Sequence, residues 1–93
     1  MHVATLEVRI HLPDASSLKD KRRVVKSILD RARNAFSVAA AEVGENDLHR
    51  IAVLGFAAVS GSASHAEEVV SKVLDALLVH PAARVIEHEF DGL

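Results

Sequence analysis

Ser17-Leu18-Lys19-Asp20-Lys21-Arg22-Arg23-Val24-Val25-Lys26-Ser27-Ile28-Leu29-Asp30-Arg31-Ala32-Arg33 is the stretch on which the fold turns. At about 100° per residue, Leu18, Val25, Ile28, Leu29 and Ala32 fall on one side, the apolar stripe of an amphipathic helix. Ser17 is a natural N-cap, and Asp20 follows three residues later in a capping-box-like arrangement. The spacing predicts a helix over about 17–35.

Strand patterns flank that helix. Upstream, Ala4, Leu6, Val8, Ile10 and Leu12 alternate with Thr5, Glu7, Arg9 and His11, the period of a strand with one buried face. Pro13-Asp14 and Ser16-Ser17 break the strand and lead into the helix. Downstream, Phe36 to Val43 reads as a second strand, although its three alanines are poor strand formers. Gly44-Glu45-Asn46-Asp47 makes the turn of a hairpin.

Arg50 to Ser60 is apolar on both alternating faces, as a central strand should be. Ala52, Leu54, Phe56 and Ala58 are expected to face the helices, and Ile51, Val53, Ala57 and Val59 the open side. After Gly61, Ser64 with Glu67 reads as a capping box. Ala66, Val69, Val70, Val73, Leu74 and Leu77 then form the stripe of a second helix, over about 63–79, which His80-Pro81 ends. Arg84 to Phe90 is the last strand.

The order strand, helix, strand, strand, helix, strand closes with right-handed crossovers into one α+β arrangement. It is the ferredoxin-like βαββαβ plait, a four-stranded antiparallel sheet of order 4-1-3-2 with both helices on one face. Residues 1–93 form a single domain, with no repeat and no linker.

Charge is distributed unevenly over this frame. The chain carries −2 overall, yet the segment from Leu18 to Asn34 holds seven of the eleven Lys and Arg residues against two acids, about +5, and leaves the remainder at about −7. Lys19, Lys21, Arg22 and Arg23 lie in or near the first two turns, at the positive end of the helix dipole. Each cation there is disfavoured by about 0.3–1 kcal/mol at most. Local rules are broken in this way at functional sites, and free N–H groups beside Lys and Arg suit an anion. Lys19, Lys21, Arg22, Arg23, Lys26 and Arg33 are therefore the candidate anion-binding residues. The competing reading is a solvated, solubilising face.

Several of these residues also carry a resemblance. Ser17-Leu18-Lys19-x-Lys21-Arg22, Lys26-Ser27, Arg31-x-Arg33, Phe36-Ser37-Val38 and Ala41-Glu42-Val43 are similar to the YlxP-like family of small bacterial proteins of unknown function. Asp47, Ala52-Val53-Leu54-Gly55 and Val59-Ser60 extend the match over most of the chain. The chain departs from the family at His49-Arg50-Ile51, where a Trp-Gln-Arg run is common. The resemblance implies a ferredoxin-like fold, a bacterial cytoplasmic setting and no established activity. The family's genes often lie near translation-factor genes, which points toward RNA or the ribosome.

Other chemistries find little support in the residues. There is no Cys, which excludes disulfides and thiolate catalysis. The six His are dispersed without ligand-like spacing, so no metal is expected. His80 reads instead as a helix C-terminal cap. No Ser sits in a nucleophile elbow and no Gly-rich loop could cradle a nucleotide, so neither a catalytic role nor a cofactor is expected. Acylphosphatases share the plait, but Leu12-Pro13-Asp14-Ala15 stands where an Arg-bearing phosphate loop would be needed. No apolar run reaches the length of a membrane span, and no signal peptide is visible before the first strand pattern.

RNA-recognition motifs stack bases on sheet aromatics. Here the open face should offer Thr5, Glu7, Arg9, His11, Glu87 and Glu89. Any nucleic acid should thus meet the first helix through phosphates. Two classes of function follow: a non-catalytic module for structured RNA or the ribosome, or a protein-interaction or self-assembly domain whose basic helix meets an acidic partner. A small-ligand sensor built on paired plaits is a third option. The open-face patch of Ile51, Val53, Ala57 and Val59 leads us to expect a homo-oligomer, most simply a two-fold dimer.

Overall fold

In a computed structural model, which describes residues 1–92, the alternation of the first strand pattern becomes β1 (His2–His11). Its Ala4, Leu6, Val8 and Ile10 are buried, while the intervening side chains lie on the opposite face. The remaining elements are α1 (Leu18–Phe36), β2 (Ala39–Gly44), β3 (Ile51–Ser60), α2 (Ala63–Leu78) and β4 (Arg84–Gly92). They form a four-stranded antiparallel sheet in the order β2-β3-β1-β4, the expected 4-1-3-2 plait read from its other edge.

The register sets what each face carries. β1 and β3 pair from His2↔Ser60 to His11↔Ile51. Even-numbered residues of both strands, including Leu6, Val8, Leu54 and Phe56, therefore point together into the core. Val25, Ile28, Leu29 and Ala32 of α1 and Ala66, Val70, Val73 and Leu77 of α2 close that core from the same side. On the open side, β4 places Glu89 beside Glu7 and Glu87 beside Arg9, before a bulge between Arg9 and Ile10 shifts the pairing.

The helix ends refine the sequence reading. Ser17 caps α1 as expected, its Oγ accepting from the backbone N–H of Asp20 at 3.1 Å. Asp20 turns outward instead of closing a capping box, and accepts from the backbone N–H and hydroxyl of Ser16. α1 runs one residue further than expected, through Phe36. It stops where Ser37 adopts a left-handed conformation (φ 55°) and donates its N–H to the Arg33 carbonyl. That cap removes Phe36 and Ser37 from the expected second strand, which begins at Ala39.

α2 is capped by Ser62, not Ser64. The Ser62 Oγ accepts from the His65 N–H, while Ser60 Oγ accepts from the Ser62 N–H. With serines at 60, 62 and 64, the earlier cap lets Ala63 and Ser64 join the helix and satisfies more backbone donors. His80 does not cap the end of α2. Val79 is the C-cap, and the His80 ring accepts from the Ala82 N–H, ordering the Pro81 turn instead.

Candidate anion-binding face and family membership

On α1, residues spaced three and four apart share a face, so Lys19, Arg23, Lys26, Asp30 and Arg33 form one ridge, with Arg22 beside it. Lys19, Arg22, Arg23, Lys26 and Arg33 are exposed. Arg22, Arg23, Lys26 and Ser27 border a shallow depression with Asp30 at its margin.

Two acids punctuate the ridge. Asp20 takes Arg23 at 2.7 Å; Asp30 takes Lys26 at 2.7 Å and Arg33 at 3.1 Å. Arg33 also donates to the Ala40 carbonyl, which ties the end of the ridge to β2. The Asp20 carboxyl is held below its ordinary range, first by the Ser16 hydroxyl and backbone N–H and then by Arg23. Asp30 is lowered mainly by Lys26, with a smaller effect from Arg33. Both acids therefore stay ionised at neutral pH and hold the cations in place. Exposed pairs of this kind are weak, so a phosphate can compete for Arg23 and Lys26 at little cost. Lys19 and Arg22 make no ion pair among the described residues.

Lys21 departs from the expectation. It is fully buried, at 0% exposure, and cannot meet an external phosphate. Its ammonium donates to the carbonyls of Glu45 (2.7 Å) and Leu48 (2.6 Å) and lies 2.8 Å from Glu42 Oε2. The Glu42 contact is an ion pair off the favourable hydrogen-bond angle, so the two carbonyls supply its directional bonds. The physical reason was present in the spacing: Lys21 is three residues after Leu18 and four before Val25, inside the buried stripe. Glu42 pairs with Leu54 in the β2–β3 register and so points to the same, helix-facing side. A lysine on a buried helix stripe and an acid on a buried strand face are signals for each other.

The open sheet face carries the expected apolar residues. Ile51, Val53 and Ala57 are partly buried, and Val59 is 65% exposed. The strand reading missed Val43, 52% exposed, which leans over Gly55; a Cβ on Gly55 would lie 3.0 Å from the Val43 Cγ1. Arg9 crosses this face to pair with Glu45 at 3.0 Å and shields Val53, its strand partner. The end of the face at Ala57 and Val59 lies beyond its reach. Glu7, Glu87 and Glu89 gather on the other half. Among the described residues no group of His, Asp and Glu side chains is arranged to hold a metal, and no helix is long and apolar enough to cross a membrane.

The ridge, the buried lysine and the β2 segment that receives it all fall within residues 3–90, which match the family model described as a protein of unknown function, DUF503. The chain belongs to the DUF503 family. The uncharacterised protein YlxP of Bacillus subtilis (strain 168) is 44% identical to it over 61 residues, a match spanning 66% of each protein. Among solved structures, an amidase of the hydantoinase/carbamoylase family from Burkholderia phymatum superposes with a TM-score of 0.55 at 10% identity. That likeness covers 99% of this chain but 28% of the amidase, and at such low identity it describes the fold alone. The YlxP-like resemblance read from the Ser-Leu-Lys-x-Lys-Arg segment is thus confirmed, in a family described as of unknown function.

Proposed function

We propose that this DUF503 protein is a non-catalytic, cytoplasmic binding module that engages structured RNA, free or on the ribosome. Lys19, Arg22, Arg23, Lys26 and Arg33 contact phosphates, with little base readout. The observation that carries the reading is polarity of charge: five exposed cations lie on or beside one ridge of α1, whereas the open sheet face bears Glu7, Glu87 and Glu89. Phosphate backbones are drawn to the first surface and repelled by the second, so RNA is oriented by α1 alone. A pull-down from native lysate, scored separately for rRNA and protein at low and high salt, tests it. Salt-sensitive rRNA recovery is expected. Recovery of an acidic protein without rRNA replaces the reading with that of an interaction domain.

The open face favours a second, compatible reading: the protein forms a two-fold dimer through Ile51, Val53, Ala57 and Val59, with Val43 added to the patch. Overlap of the β2–β3 halves would bury the exposed valines and leave the acids of β1 and β4 outside, away from one another. Pairing through the β4 edge is disfavoured, because antiparallel self-pairing sets acids among Glu87, Glu89 and Asp91 opposite one another or opposite Val85. Light scattering at high protein concentration and moderate salt is expected to report a dimer, and Val59→Glu a monomer of unchanged stability. A wild-type protein that remains monomeric under those conditions rules the dimer out.

A further inference from the structure

The two helices do not close fully over the sheet. Between them lies a cleft of about 340 Å³ whose lining includes Phe56 of β3, Ile28 and Phe36 of α1, and Val73 and Leu77 of α2. Ala32, Ala35 and Ala76 stand on its walls, where larger side chains would fill the space. The volume lies at the lower end of the range of small-molecule sites.

Two nitrogen groups border this apolar cleft: Arg31 and His80. The ion pairs of α1 use Lys21, Arg23, Lys26 and Arg33, and Arg31 enters none among the described residues. The His80 Nδ1 accepts the Ala82 N–H at 3.1 Å, so Nε2 carries the ring proton and is the donor left free. Burial, and secondarily the charge of Arg31, hold the His80 pKa below its ordinary value. The ring is therefore neutral at physiological pH.

We propose that this cleft binds a small amphipathic carboxylate, a free organic acid whose apolar tail lies against Phe56, Val73 and Leu77 and whose head meets Arg31 and the Nε2–H of His80. One guanidinium beside one neutral imidazole matches a monoanion. A neutral ligand of the same shape would partly desolvate Arg31 without pairing it, and a cation would be repelled. The site uses none of the ridge cations and stands apart from the RNA reading.

The test is a titration of the ¹⁵N-labelled full chain with sodium octanoate, followed by amide shifts, with 1-octanol and octylamine as matched probes. Saturable shifts are expected in residues 28–36 and 73–81, with octanoate at least about tenfold tighter than octanol and octylamine weaker still. Arg31→Gln should weaken octanoate by about tenfold, Arg31→Lys should retain most of the affinity, and Lys19→Gln should leave it unchanged. Ala35→Phe, at an exposed wall position, should block binding without lowering the thermal midpoint. Octanol binding as tightly as octanoate, an Arg31→Gln protein that binds like wild type, or shifts confined to other surfaces would each overturn the proposal.

Discussion

Replacing Lys21 with alanine is expected to lower the unfolding free energy by about 3 kcal/mol, the low end of what breaking one side of a buried ion pair costs. The low end applies because the Glu42 side chain keeps 17% of its exposure while that of Lys21 keeps 1%. Three acceptors lose the ammonium together, the Glu42 carboxylate and the carbonyls of Glu45 and Leu48, and of these the Glu45 carbonyl keeps the backbone N–H of Leu48. In a domain of this size the thermal midpoint should fall by about 12–24 °C. Urea unfolding monitored by circular dichroism measures it, and amides of residues 44–50 should lose hydrogen-exchange protection first. A double replacement, Lys21→Met with Glu42→Leu, should recover much of the loss, because apolar pairs often substitute for a buried ion pair at no net cost. A Lys21→Ala protein as stable as wild type would mean that the hairpin is held elsewhere.

The consequence for function is indirect. Lys21 links the first turn of α1 to the β2–β3 turn, and Arg9 links the same turn to the open face through Glu45. The start of the basic ridge is thus anchored by a cation that takes no part in it. A folded Lys21→Met protein should keep its affinity for RNA while losing stability, which separates the structural lysine from the surface ones.

The plait was legible because its signals agree at each level. The alternation in β1, the two-faced apolar run of β3 and the Ser17 cap each specify one element, and the βαββαβ order leaves few ways to pack them. The division of β3 into core-facing Ala52, Leu54, Phe56 and Ala58 and open-facing Ile51, Val53, Ala57 and Val59 followed from period alone. Boundaries set by competing local bonds were harder. Three serines near 62 can each cap a helix, and Ser37 ends α1 through a left-handed conformation that no composition rule requires of serine. The candidate site was legible as a charge excess and misread in one residue. Counting cations treats every lysine as solvated; Lys21 needed its position on the stripe and the facing of Glu42 to be considered together.

Reversing two charges on the ridge, Arg22→Glu with Lys26→Glu, is expected to abolish RNA binding while leaving the fold intact. Both side chains are exposed, so the core is untouched. The one local penalty is a like-charge contact with Asp30 four residues beyond position 26, worth a few tenths of a kcal/mol. For the wild type, four or five neutralised phosphates imply a fall in affinity of about 150- to 500-fold between about 50 and 200 mM salt, and the reversed protein should lose both the affinity and the slope. Exchanging arginine for lysine at 22 and 23 distinguishes the contact type: a modest loss indicates point-charge contacts, a larger one bidentate guanidinium–phosphate pairs. Filter binding to purified rRNA over a salt series reads all three proteins. If the reversed protein binds as tightly as wild type with the same slope, α1 is not the RNA surface. If an acidic protein is retained by wild type and released by the reversal while rRNA is indifferent to both, the ridge is a protein-docking surface, since neutralised carboxylates release fewer condensed counterions than a phosphate backbone and the shallower slope identifies them.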